Sequence, residues 1–191
     1  MSEGKNILLV GVGGQGTILA SKILSEGLAE AGFDVKMSEI HGMSQRGGSV
    51  STQIRFGEKV FSPIFGEGEA DLLVAFEEAE AARCLPMLKK GGKVVLNRYR
   101  ILSPEVLQGE ETYPEGTVEA IRAKADCTVL DAGAIAAKLG NPRAMNIVLL
   151  GALIHSMGLE KQLDWNAIVA AKVKPQFVEL NQKALAAGME V

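Results

Sequence analysis

Apolar and polar positions along the chain follow two rhythms. Asn6 to Val10 (NILLV) is the short, nearly unbroken apolar run of a strand buried on both faces. From Thr17 to Ala31, Ile18, Leu19, Ile23, Leu24 and Leu28 recur on one helical face, and Gly32 offers a stop. Phe33 to Ile40 reads as a second strand. The opening is therefore strand, loop, helix, strand, the first unit of a doubly wound sheet. The rhythm then breaks, because residues 41–48 are too few for a parallel crossover, which needs about a dozen or more. Beyond them Val50, Thr52, Ile54 and Phe56 face one way, and Ser49, Ser51, Gln53 and Arg55 the other. Gly57-Glu58 suits a hairpin turn, and Lys59 to Phe65 is expected as the return strand, at an edge because of Pro63.

The α/β pattern resumes with a strand at Ala70 to Phe76, a helix at Glu77 to Lys89 ended by Gly91-Gly92, and a strand at Lys93 to Asn97. Ser103 to Gly116 reads as a surface excursion, Thr117 to Ala125 as helix and Cys127 to Leu130 as strand. The remainder is helical: Ala134 to Leu139, Pro142 to Met157, Trp165 to Val173 and Pro175 to Ala187, with Asn141-Pro142 as N-cap and first-turn proline. No linker or repeat interrupts residues 1–191, which are expected as one domain. The fold class is α/β: a Rossmann-like, mostly parallel sheet with an inserted antiparallel β-hairpin and a C-terminal helical layer.

Composition narrows the function. With 191 residues and a formal charge of −3, the chain has room for a real core but lacks the broad basic surface of a nonspecific nucleic-acid binder. Its longest apolar run, Ile147 to Ile154, is too short to span a bilayer, and the start lacks the cleavage region of a signal peptide, so a cytoplasmic protein is expected. Cys84 and Cys127 are the only cysteines and are not paired as CxxC; they read as reduced thiols, and no metal site is expected. His155 reads as a hydrogen-bonded core histidine, Trp165 as core or interface, and Glu77 to Glu80 as acids at a helix start. Arg98-Tyr99-Arg100 is a small basic patch, either solvated or a partner contact.

The 22 glycines cluster where the chemistry must lie. Gly11-Val-Gly-Gly-Gln-Gly16 matches G-x-G-x-x-G between a strand and a helix, where glycines let backbone N–H groups approach an anion. Glu39 follows at about the spacing of a ribose-binding acid, so a stand-alone NAD(P)- or FAD-binding oxidoreductase is one reading. The other is a tight strand-to-helix turn that meets another chain or that chain's cofactor. His41-Gly-Met-Ser-Gln-Arg-Gly-Gly48 gathers an imidazole, a hydroxyl, an amide and a guanidinium after the carboxyl end of a strand. Arg46 suits a phosphate or carboxylate clamp, or pairing with Glu39, and His41 suits a proton carrier.

These two clusters carry a resemblance. GVGGQG after the first strand, then SEIHGMSQRGGSVSTQIRFG, resembles the gamma-type subunits or domains of 2-oxoacid:ferredoxin oxidoreductases, most of all the small beta subunits of the indolepyruvate enzymes. Ser62-Pro-Ile, Glu67 to Leu73, Gly140-Asn-Pro-Arg-x-x-Asn146 and Val148 to Ala152 extend it over nearly the whole chain. The resemblance implies CoA-dependent oxidative decarboxylation of an aryl pyruvate such as indole-3-pyruvate, with ferredoxin as electron acceptor. It also implies a large alpha subunit bearing thiamine diphosphate, magnesium and iron–sulfur clusters. This chain has no Gly-Asp dipeptide for a thiamine site and too few cysteines for a cluster, so it is expected to bind no prosthetic group and to be inactive alone. Gly13, Gly14, Gln15, Gly16, Ser44, Gln45, Arg46, Gly47 and Gly48 are expected at a surface facing coenzyme A or the partner. His41 is the candidate orienting or proton-carrying group, and Asn146 either reaches the same crevice or packs. An accessory subunit that stabilises or regulates its partner without touching substrate is the remaining alternative.

Overall fold

The computed structural model describes residues 4–42 and 47–191. Its single sheet has six strands: β1 (Lys5–Val12), β2 (Asp34–His41), β3 (Ser49–Gly57), β4 (Ala70–Ala75), β5 (Leu88–Asn97) and β6 (Asp126–Leu130). Their spatial order is β2-β3-β1-β4-β5-β6. β1, β4, β5 and β6 pair in parallel, whereas β3 is antiparallel to both of its neighbours, β1 and β2. The mostly parallel sheet with an antiparallel insertion is as the sequence implied, but the hairpin partner of β3 is β2, not residues 59–65.

The reason is edge occupancy. Both edges of β3 are filled along its length, from Ser49↔Val12 to Phe56↔Lys5 on one side and from Val50↔His41 to Gly57↔Asp34 on the other. A return strand has no edge of β3 left to join. The segment after Gly57 instead lies across a face of β3, held by its side chains: Gln53 Oε1 accepts from Phe65 N (2.9 Å), and Arg55 donates to the Ile64 carbonyl (3.1 Å).

Alternation along the strands sends side chains into two cores. Ile7, Leu9, Ile54, Phe56, Leu72, Val74 and Val95 meet the helices α1 (Thr17–Glu30), α5 (Ala132–Lys138), α6 (Met145–Met157), α7 (Trp165–Lys172) and α8 (Val178–Met189). Leu8, Val10, Leu73, Ala75, Val94 and Leu96 meet the short helices α2 (Glu78–Cys84) and α4 (Thr117–Arg122) on the other face. A one-turn helix, α3 (Pro104–Leu107), lies in the excursion between them. No helix among the described residues is long and apolar enough to cross a membrane.

Two boundaries differ from expectation for local reasons. The helix after β4 stops at Cys84, because Pro86 lacks an N–H and opens a 3-10 turn. Gly91-Gly92, expected as the helix stop, instead lies in an irregularity of β5, where the pairing jumps from Ala70↔Leu88 to Leu72↔Lys93 and Gly91 takes φ +79°. His155 is also not a core residue. It is exposed in the last turn of α6, with Nδ1 2.5 Å from Glu160 Oε1.

The helix α6 is apolar around its circumference, and residues 146–154 are all buried, as a helix enclosed on every side requires. The sheet covers one side and α8 the other. Their approach is set by two glycines: a Cβ on Gly188 would lie 1.9 Å from the Val148 carbonyl oxygen, and one on Gly151 would lie 2.2 Å from that of Leu185. Trp165 is 2% exposed and seats on α1 where Gly27 leaves room for its ring. Gly188→Ala gains about 1 kcal/mol of helix propensity but must push the α6 and α8 backbones apart, a strain of up to about 3 kcal/mol. The expected outcome is net destabilisation by about 2 kcal/mol, read as a lower urea midpoint with an unchanged slope.

Candidate functional site

Every element that carries a candidate residue ends or begins at the same edge of the sheet. The glycine loop leaves the end of β1, His41 closes β2, β3 begins at Ser49, and Asn97 closes β5. The two glycine clusters are joined directly. Gly13 N donates to the Gly48 carbonyl (2.8 Å), and Gly47 N donates back to that of Gly13 (3.4 Å). This pair prolongs the β1–β3 ladder past Val12↔Ser49, so one loop fixes the height of the other.

The loop backbone itself is shaped by its glycines. Gly14 and Gly16 take φ +102° and +80°, where a side chain is strained. Gly16 is the N-cap of α1 and supplies no side-chain acceptor, and the first turn holds no acidic residue. The positive end of a fourteen-residue helix is thus presented bare at the loop, the arrangement that favours an anion.

Gln15 does not present its amide to solvent. It is 7% exposed; Oε1 accepts from Val12 N (2.7 Å) and Nε2 donates to the Phe76 carbonyl (3.0 Å). That carbonyl also accepts from Nδ2 of the fully buried Asn97 (3.1 Å), whose Oδ1 accepts from Ala132 N at the start of α5 (3.0 Å). A buried amide chain therefore runs from the glycine loop across the ends of β4 and β5 to α5. Asn146 acts on the same loop: Nδ2 donates to the Gly16 carbonyl (3.3 Å), and any Cβ on Gly16 would meet it at 2.6 Å. Asn146 thus packs against the loop and braces its last residue, but it does not itself line the cavity beside His41.

Gly13, Gly14, Gly16 and His41 line one cavity of about 400 Å³, together with Thr17, Ile18 and Val50. His41 is exposed, and its Nδ1 lies 3.3 Å from the carbonyl of its own neighbour Gly42. Gly47 and Gly48 stand behind Gly13 through the bonds above. Ser44, Gln45 and Arg46 lie outside the described residues, as does any pairing of Arg46 with Glu39. Sequence reasoning passed over Ile18 and Val50, whose apolar character reads as core, and Asn97, whose only signal is an amide closing an apolar strand (KVVLN).

The position of Glu39 bears on the dinucleotide reading. A ribose-binding acid belongs at the end of the strand beside β1. Here β3 takes that place, and β2 stands two strand spacings, about 9.5 Å, from β1. Glu39 pairs in register with Thr52. Neither Glu39 Oε1 nor Thr52 Oγ1, both buried, has a hydrogen-bond partner among the described residues. The cavity wall facing the glycines is built from His41 and Val50 instead.

The amide chain should carry stability as well as geometry. Asn97→Ala strips one donor from the Phe76 carbonyl and leaves Ala132 N without its acceptor, both buried. A loss of about 2 kcal/mol is expected, read by urea unfolding of the purified chain. Asn97→Asp keeps the acceptor for Ala132 N but sets a second acceptor against the Phe76 carbonyl in a fully buried site, so it should not recover that loss.

Residues 6–191 match the family model described as pyruvate ferredoxin/flavodoxin oxidoreductase. The indolepyruvate oxidoreductase subunit IorB of Pyrococcus horikoshii is 36% identical over 97% of this chain and 94% of its own. The crystal structure of a keto/oxoacid ferredoxin oxidoreductase gamma subunit from Geobacter sulfurreducens superposes with a TM-score of 0.72 at 26% identity, covering 97% of this chain and 96% of that one. The fold recurs within a longer chain, the 2-oxoglutarate:ferredoxin oxidoreductase of Magnetococcus marinus, at TM-score 0.75 and 18% identity, covering all of this chain and 31% of that one. The chain belongs to the pyruvate ferredoxin/flavodoxin oxidoreductase family.

Proposed function

We propose that this chain is the small subunit of an indolepyruvate:ferredoxin oxidoreductase, a cytoplasmic enzyme acting on aryl pyruvates, and that its crevice receives coenzyme A. The overall reaction releases the 2-oxoacid carboxylate as CO2, joins the remaining acyl carbon to the coenzyme A sulfur and passes two electrons to two oxidised ferredoxins, with one proton released. The observation that carries the reading is the crevice itself. The first glycine cluster, a bare helix start and an exposed imidazole line one cavity suited to an anionic, elongated acceptor, and the glycines of the second cluster are bonded to the first behind it.

The prosthetic groups fit a larger partner better than this chain. Thiamine diphosphate, magnesium and the iron–sulfur clusters supply carbanion and electron-transfer chemistry when bound. Cluster iron requires several thiolates. Cys84 is buried at the end of α2 and Cys127 is half-buried in β6, and burial raises both thiols, Cys127 to about 11. Two protonated thiols on separate elements are not a cluster site. Because the Cys127 pKa is raised, the unreactive neutral form persists through pH 8. Alkylation of the folded chain by iodoacetamide at that pH should be slower than that of free cysteine and should climb toward about pH 11.

Within the crevice, His41 orients or takes the proton of the acceptor thiol. The decisive experiment is anaerobic affinity purification of the tagged chain from its native cell, assayed for indolepyruvate- and CoA-dependent reduction of a viologen dye. Co-purification of a large, brown, active partner is expected. In that complex His41→Gln should lower CoA-dependent turnover by about a hundredfold. A chain that purifies alone, colourless and binding NAD or FAD, overturns the reading. Undiminished turnover and CoA dependence in glycine-loop and Arg46 variants would make the chain an accessory subunit instead.

A further inference from the structure

A second cavity, of about 350 Å³, borders α1 at Leu19 and is lined by no residue of either glycine cluster. The turn before α6 forms one wall and the link from α7 to α8 the other. The sequence dictates that link. Pro175 keeps Lys174 extended (ψ 143°), so α7 ends and the chain turns through Pro175–Phe177 into α8. Lys174 and Phe177 are thereby left at the cavity, and Phe177 stays 40% exposed.

The lining is apolar at Leu19, Val173 and Leu180, yet two nearly buried amides belong to it: Asn146, 6% exposed, and Asn181, 9% exposed. Both ends of Asn146 are used, Nδ2 on the Gly16 carbonyl and Oδ1 by Ile147 N (3.0 Å). Asn181 is used at one end only. Its Nδ2 donates to the Phe177 carbonyl (2.8 Å), which settles which end of the amide is the donor, and its Oδ1 accepts no hydrogen bond among the described residues. An acceptor withdrawn from solvent and left without a donor costs stability until something in the cavity supplies one.

Charge in the cavity has one sign. Lys172 is paired with Glu26 (2.7 Å), but Arg143 and Lys174 form no ion pair among the described residues. Arg143 stands on backbone held by Asn141 Oδ1 (3.0 Å), and no carboxylate among the described residues lines the cavity. An aromatic ring, apolar walls, one acceptor in want of a donor and two unpaired cations complement a planar molecule with a ring N–H at one end and a carboxylate at the other.

We infer that this cavity binds a small heteroaromatic carboxylic acid of the indole type, its ring beside Phe177, its N–H on Asn181 Oδ1 and its carboxylate between Arg143 and Lys174. The site is separate from the crevice and does not depend on the coenzyme A reading. An occupant touches Asn146, the amide that braces Gly16.

The test uses the full-length purified chain, with indole-3-acetate as probe and calorimetry as readout. One molecule should bind per chain with a Kd of about 1 mM or tighter. Naphthalene-1-acetate, which keeps the carboxylate and lacks the N–H, should bind about tenfold more weakly, and Asn181→Leu should abolish that difference. Arg143→Gln combined with Lys174→Gln should weaken both probes by about tenfold. Those two positions are exposed, so the double variant tests the site even where Asn181→Leu unfolds, which its urea midpoint reveals. No binding of indole-3-acetate to the native chain, equal affinity for the two probes, or affinity unchanged in the double variant overturns the inference. So does displacement of the probe by coenzyme A in the double variant, which places the acid in the crevice.

Discussion

The insertion of β3 between β1 and β2 is the constraint from which the rest follows. A strand running against its neighbours fills two hydrogen-bonding edges at once and so dictates what each flanking segment can do. It moves Glu39 a strand further from the glycine loop and puts Thr52 in its place. It brings the second glycine cluster down beside the first, with Gly13 and Gly48 in direct contact. It also leaves residues 59–65 with no edge of β3 to join, so they lie over its face on the side chains of Gln53 and Arg55. A scaffold associated with dinucleotides becomes, through one strand, a scaffold with a different crevice.

The opposite half of the sheet supplies rigidity. The Phe76 carbonyl takes two side-chain amides, from Gln15 and Asn97, and through them the loop, two strand ends and the start of α5 are held as one body. Such a buried chain is stable only because each of its polar groups is matched. It explains why a polar residue inside a glycine motif is directed inward: Gln15 shapes the loop whose backbone faces the solvent. Preorganisation of this kind reduces the ordering that a ligand would otherwise have to impose.

Much of this was legible in the sequence, for reasons that can be named. The shortness of residues 41–48 rules out a crossover helix, and the strict alternation from Ser49 to Phe56 requires a strand, so the antiparallel insertion follows from chain length and periodicity. Its partner does not, because edge occupancy belongs to the whole sheet and Gly57-Glu58 looks the same whether or not a ladder remains beyond it. Gly91-Gly92 misleads similarly, since a helix stop and a strand irregularity need the same positive-φ freedom. In the site, glycine positions mark an open backbone, but direction is invisible: nothing local tells that Gln15 turns in while His41 turns out. The likeness of Arg98 to its neighbour Arg100 hides that, among the described residues, only the second is held by an acid.

The contact between Asn146 and Gly16 spans 130 residues and couples the site to the order in which the chain is made. β1 and its glycine loop leave the ribosome early, but the side chain that braces the loop belongs to α6, and α6 cannot be enclosed until α8 has been synthesised and seated at the Gly151–Gly188 crossing. For most of translation the nascent chain thus carries an unfinished crevice and then an uncovered apolar cylinder. Folding of the core and completion of the crevice are therefore tied together through the last helices of the chain.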